Sequence, residues 1–360
     1  MNADHRSRPD TQSQANARAK IAVLWSALAF IAAQGVLVYV VGRVNPEIRD
    51  PEYGYRLTRL REQTAADPDR PFFLILGSSR TLSGICPPAL PDWPTEAGPQ
   101  PRVFNYSLLG AGPVRELMTL RRLLAAGYRP DYLLVEVWPP YLPQKGYWLD
   151  EGHIMQQDLR WVDLPIVARY FADRQSALGK LATEGLVPII GLRSNILARC
   201  AACLLSPDQQ WRAKRFQFWH GGEATGWRPW LERGSPEEFQ GRIESVKRQT
   251  KPCLDNFFIS ETADRALREI LEECRRHNTK AALILMPEHS ELRSWYTPAV
   301  HEQLNAYLSR LSADYHVPVM DTRDWVPDEA FHDLTHMAPP AAAPFTLRLG
   351  REMLQPWLTH

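Results

Sequence analysis

The chain lacks an excess of either charge. Its 42 basic and 41 acidic side chains leave a formal net charge of +1, so no global field draws it to nucleic acid or to polyanions. It has no internal repeat, which excludes solenoid and propeller arrays. Cysteine is scarce, with five in 360 residues. Cys200-Ala-Ala-Cys203 has redox-motif spacing, but it falls in a stretch that reads as helix and no second pair follows, which argues against a zinc site or a thioredoxin-like centre. In an oxidising compartment the cysteines would form one or two disulfides with an odd one left over.

What is present starts with an apolar run. Residues 1–19 are polar and without periodicity, which predicts a disordered tail. From Ile21 to Gly42 no charge interrupts the chain over about the length that crosses ~30 Å of hydrocarbon. The expectation is a transmembrane helix over 20–42. It exceeds the h-region of a cleaved signal peptide and is not followed by a clean Ala-x-Ala site. Arg6, Arg8, Arg18 and Lys20 precede it against Asp4 and Asp10. The positive-inside rule therefore puts the amino terminus in the cytoplasm and the rest outside it, periplasmic or at the cell surface. Trp25 and Tyr39 suit the interfaces, and Gln34 is a mild polar interruption.

Residues 43–70 read as a juxtamembrane helix or connector. A run of strand length, Pro71 to Leu76, then ends at Gly77-Ser78-Ser79-Arg80. Arg102 to Leu108 forms a second strand ending at Gly110, a helix starts at Pro113 and is closed by Gly127, and Asp131 to Val137 is a third strand. Strand, helix and strand within this span make a βαβ unit and a parallel sheet. Residues 141–255 break the rhythm with helical patterns and a Gly/Trp-rich piece, and are read as a helical cap or a docking surface. The alternation resumes over 256–360, with strands at Lys280–Met286 and Val317–Asp321 and a last helix from about Ala341 to Leu354.

Ligands of open parallel sheets sit beyond the carboxyl ends of the strands, where Ser79, Gly110, Trp138–Tyr141, Glu288 and Asp333–His336 should converge. A serine nucleophile needs a base and a group that orients that base. Asp333 and His336, three apart, suit those roles. Backbone N–H groups of Ser79 and Gly110 suit an oxyanion. Arg80 is read either as a clamp for an anionic substrate group or as an ion-pair partner, and Asn105 as a tie for the turn after its strand or a substrate contact. Trp138 and Tyr141 are substrate-binding candidates, and Glu288 and His289 candidates for lining the cleft. His332 is read as a surface residue. Trp219, Trp227 and Trp230 would either stack on sugars or pack the cap.

Gly77-Ser78-Ser79, Asn105 with Gly110, and Asp333-x-x-His336 before the final helix together resemble the SGNH (GDSL-like) hydrolase superfamily, over roughly 70–140 and 256–357. The resemblance implies a three-layer flavodoxin-like parallel sheet, with Ser79 as nucleophile, Gly110 in the oxyanion hole and Asp333/His336 as the relay. The chain departs from the pattern at Ser78, where an aspartate is usual, and at Trp138-Pro139-Pro140, where the family carries an oxyanion asparagine; Trp138, Tyr141 and Gln144 are possible replacement donors. A single-span anchor on such a domain is similar to accessory proteins of teichoic-acid D-alanylation and alginate acetylation. That likeness implies a serine esterase or O-acyltransferase acting through an acyl-Ser79 intermediate on an envelope polysaccharide or lipid, with no metal and no organic cofactor, beside a multispanning membrane-bound O-acyltransferase. A second reading makes the domain a catalytically impaired binding or scaffold subunit of such a complex.

Overall fold

The computed structural model describes residues 11–92, 100–156, 159–220, 223–229 and 234–359. Asp4, Arg6, Arg8 and Asp10 of the expected tail, and Trp230, lie outside the described residues. Among the described residues five strands, β1 (Phe72–Leu76), β2 (Arg102–Asn105), β3 (Tyr132–Glu136), β4 (Lys280–Leu285) and β5 (Val319–Asp321), form one sheet in the order β2-β1-β3-β4-β5. All four pairings are parallel, and the register sets Asn105, Ile75, Leu134 and Ala282 in one row across the sheet. The order reverses between β1 and β3, so the crevice expected of such sheets opens at the carboxyl end of β1.

Every side chain of β1 is buried, as a central strand covered on both faces requires. Phe72, Leu74 and Leu76 point into one core, completed by the helices Pro51–Ala66, Pro113–Ala125, Glu261–Arg276 and Pro298–Tyr315. Phe73 and Ile75 point into the other, closed by Ile85, Phe331 and the helix Pro339–Leu349. The helix Pro113–Ala125 ends as its glycine predicts, with Gly127 at φ +92°.

Two segments differ from their sequence expectation. The apolar helix already begins at Thr11, so residues 11–19 are helical rather than a disordered tail, and it runs to Tyr39 before a π-helical turn at Val40–Val44. It is the one described helix long and apolar enough to cross a membrane. The short helix Pro46–Arg49 and then Asp50 follow. Asp50 caps the helix Pro51–Ala66 by accepting from the amides of Glu52 and Tyr53 at 3.0 and 3.2 Å. That helix is no loose connector: Tyr53, Leu57 and Leu60 lie on one face and are sealed into the core.

The insertion is likewise built in. Ile154, Leu159, Ile166, Val167, Tyr170 and Leu181 join the first core rather than forming one of their own. Its segment 223–228 covers the exposed edge of β2, where the Asn105 amide donates to Thr225 O at 2.9 Å. Gly226, at φ +80°, is needed there, because a Cβ would come within 2.2 Å of the Asn105 carbonyl oxygen. The five cysteines are free, with Cys86, Cys253 and Cys274 buried and Cys200 and Cys203 exposed, so the expected disulfides do not form.

Candidate active site

Ser79 opens the short helix Ser79–Gly84 directly after β1, with Ser78 as its N-cap. The bend is held by one carboxylate. Glu136 Oε2, at the end of β3, accepts from the Ser78 amide (2.7 Å), the Ser78 hydroxyl (2.8 Å) and the Thr81 hydroxyl (2.6 Å). The register dictates this, since β1 and β3 are neighbours and both end at the same height.

Ser79 Oγ lies 2.7 Å from His336 Nε2, and His336 Nδ1 lies 2.7 Å from Asp333 Oδ2. The other Asp333 oxygen accepts from the amides of Thr335 (2.7 Å) and His336 (2.8 Å) and from the Thr335 hydroxyl (3.0 Å). Burial works against ionisation of Asp333, but the His336 charge and these donors outweigh it and hold the carboxyl well below its usual range. An ionised Asp333 fixes the Nδ1–H tautomer of His336, which leaves Nε2 as an acceptor for the Ser79 proton. Such a relay can raise a serine hydroxyl to a nucleophile.

Ser79, Thr335 and His336 line a cleft of about 240 Å³ together with Leu109, Gly110, Trp138, Tyr141, Leu149, His153, Val246, Gln249 and Thr250, and Asp333 sits behind His336. Among the described residues, the amides of Ser79 and Gly110 donate to no other backbone group. Gly110 sits at φ +63°, and a Cβ there would lie 2.5 Å from His153 Nε2. Trp138 Nε1 is buried without a hydrogen-bond partner among the described residues. Burial pushes the Tyr141 phenol well up, so it remains an O–H donor. Gln144 is not among the lining residues.

Arg80 does not reach into the cleft as a substrate clamp. It is 3% exposed and spans three elements. Its guanidinium lies 3.2 Å from Glu136 Oε1 and 3.4 Å from Glu288 Oε1, donates to the carbonyls of Met286 (2.9 Å) and Pro287 (3.0 Å), and stacks at 5.1 Å over the Trp138 ring. A buried cation survives there because two carboxylates face it.

Asn105 is also withdrawn from substrate. It is fully buried, its amide donating to the carbonyls of Thr81 and Ile85, both at 2.9 Å, while its oxygen accepts from the Ser107 amide at 3.1 Å. It therefore ties the end of the serine helix to the turn that leads to Gly110. Glu288 is buried against Arg80 and Tyr296, whose hydroxyl donates to it at 3.0 Å, and His289 caps the next short helix; neither lines the cleft. His332 is buried beside Arg242, at 3.1 Å, rather than on the surface. The Trp227 indole donates to Ser83 O at 2.9 Å and so packs the back of the serine helix instead of facing the cleft.

Sequence reasoning missed three supports. Glu52 accepts from the Leu109 amide (2.6 Å) and pairs with Arg115 (3.1 Å), which also donates to Leu109 O, so the Gly110 turn hangs from the helix after the apolar segment. Arg56 donates to Ser107 O at 2.9 Å. Asp150, on the insertion helix Gln144–Gln156, accepts from the amides of Gly112 and Val114, both at 3.0 Å; burial pushes its pKa up to about 6 despite those donors. Only an i, i+4 pattern of charges at 52 and 56 hinted at the first two.

Neither the scan against protein-family models nor the search of curated proteins finds a match to this chain.

Proposed function

We propose that this chain is a membrane-anchored serine esterase or O-acyltransferase of the SGNH (GDSL-like) kind, its sheet the three-layer flavodoxin-like type, acting on acyl groups of an envelope polysaccharide or lipid. The observation that carries the reading is the unbroken relay Ser79 Oγ, His336, Asp333, with both contacts at 2.7 Å and Ser79 and His336 facing one cleft.

In this reaction Ser79 Oγ attacks the ester carbonyl while His336 Nε2 takes its proton. The amides of Ser79 and Gly110 receive the oxyanion. The C–O bond to the leaving alcohol then breaks as His336 returns the proton to that alcohol, leaving acyl-Ser79. Water or a sugar hydroxyl, deprotonated in turn by His336, attacks the acyl carbonyl, the bond to Ser79 Oγ breaks, and His336 returns the proton to Ser79. Where the family's asparagine is replaced by Trp138-Pro139-Pro140, the proline at 139 has neither side-chain donor nor N–H. The unpartnered Trp138 indole N–H and the neutral Tyr141 phenol are the donors left at that wall. The scheme uses no metal and no organic cofactor.

The charge pattern around the apolar helix favours a cytoplasmic amino terminus with the cleft on the far side, where a multispanning acyltransferase is the fitting partner. A fluorophosphonate probe tests the chemistry on the full chain. Labelling is expected at Ser79 in the wild type and lost in Ser79→Ala and His336→Ala. Equal labelling of all three sinks the mechanism. An unlabelled wild type whose cellular role survives Ser79→Ala leaves the binding-subunit reading.

A further inference from the structure

Apart from the cleft, the surface that most needs explaining lies on the insertion, beside the apolar helix. Residues 185–192 read Gly-Leu-Val-Pro-Ile-Ile-Gly-Leu, without one charged or hydrogen-bonding side chain. They end the helix Arg174–Leu186 and form the short helix Pro188–Gly191. Leu186, Ile189 and Ile190 are 60%, 42% and 65% exposed. Leu178, two turns before Leu186, and Trp161, whose indole packs on Gly185, extend the apolar face. A cluster of this kind on a soluble surface marks an interaction site.

Its attachment says what covers it. The Ile189 amide donates to Gln34 Oε1 at 3.3 Å, and Leu192 and Ile196 pack with Leu37 and Val41 of the apolar segment. The uncharged run between Lys20 and Arg43 is roughly 33 Å of helix at ~1.5 Å per residue, which matches the ~30 Å of hydrocarbon. The charges at its ends fix its depth. Gln34 then lies about 12 Å inside the boundary at Gly42, and whatever touches Gln34 lies at a similar level.

Backbone at that depth must satisfy its own amides, and this one does. Val187 donates to Thr183 O (3.1 Å), Ile190 and Gly191 to Val187 O (2.9 and 3.1 Å), Leu192 to Pro188 O (2.8 Å) and Ile189 to Gln34, while Pro188 has no N–H. Arg193, exposed, follows at once and suits the return to the headgroups.

We infer that residues 185–192, with Leu178 and Trp161, form a second membrane-embedded surface, a wedge inserted among the acyl chains of the leaflet nearer the folded domain. The inference rests on the apolar helix being a membrane span. Because the same insertion supplies Leu149, His153, Val246, Gln249 and Thr250 of the cleft wall, the wedge gives the cleft a second fixed point on the bilayer.

The test uses the full chain in phosphatidylcholine/phosphatidylglycerol nanodiscs, with the exposed Cys200 and Cys203 changed to serine. A bimane label is placed at Ile190→Cys, with Val36→Cys in the span and Ala313→Cys on the exposed surface of the helix Pro298–Tyr315 as comparators. Doxyl lipids should quench the labels at 190 and 36 strongly and the label at 313 hardly at all, with aqueous iodide giving the reverse. Iodide quenching at 190 alongside lipid quenching at 36 overturns the wedge and leaves the span standing. Protection of 190 from both quenchers means that protein covers the patch, and also overturns it. Iodide quenching at 36 removes the span reading and the wedge with it.

Discussion

At the scale of single residues, Gly110 carries two constraints at once: a left-handed backbone and a histidine ring where a side chain would go. On the proposed mechanism Gly110→Ala should therefore displace an oxyanion donor, and the loss of one such donor costs about 10²–10³ in rate. Fluorophosphonate labelling kinetics would read the loss. Gly110→Ala with His153→Ala should recover part of it, since the collision is relieved and the strain at φ +63° is not. Full recovery would make the backbone argument wrong.

Glu116 offers a test by pH. Its carboxyl is buried, with Oε2 unpartnered among the described residues. Burial first, and then the charges of Glu136 and Asp150, push its pKa well above the usual range. The unfolded chain releases this proton near pH ~4.3 while the folded protein keeps it, so the group removes stability as pH rises above that value. Glu116→Gln should match the wild type near pH 4 and exceed it increasingly towards pH 8 in thermal unfolding. A difference that does not change with pH would refute the assignment.

The relay residues were legible because Asp333-x-x-His336 and a serine after an apolar strand are spacing signals. For Arg80 and Asn105 the sequence left two roles open each, because a polar residue just beyond a strand reads the same whether it faces substrate or the protein interior; the structure holds the ion pair for Arg80 and the turn tie for Asn105. Burial of Arg80 depends on Glu136 and Glu288, which come from strands far apart in sequence.

At the scale of elements, the strands and the helix Pro113–Ala125 followed from apolar runs and glycine punctuation. The helix Pro51–Ala66 was harder to read, because its charges suggest solvent. Glu52 and Arg56 are nevertheless almost wholly buried, since each finds a partner on the turn that carries Gly110. Glu52→Ala should cost about 3–5 kcal/mol, as removal of one partner from a buried ion pair does, and thermal unfolding would measure it. Glu52→Gln keeps an acceptor for the Leu109 amide and should lose less stability. Equal losses would mean that the Arg115 pair alone carries the effect. The insertion was legible as helical but not as part of the core, because Ile154, Ile166 and Leu181 find their partners only once the sheet exists.

At the scale of the whole molecule, the described chain passes from the apolar helix to the Gly110 turn without a slack linker. The π-helical turn Val40–Val44, the short helix Pro46–Arg49 and the Asp50 cap follow one another into the helix that braces Leu109. With the helix in a bilayer, the cleft stands at a set height over the lipid plane. On the proposed acyl-transfer reading, turnover would then scale with the number of acyl donors and acceptors per unit area of membrane rather than with their concentration in the surrounding volume. Diluting the lipid with detergent at constant bulk substrate would slow the reaction even though every atom of the cleft stays in place.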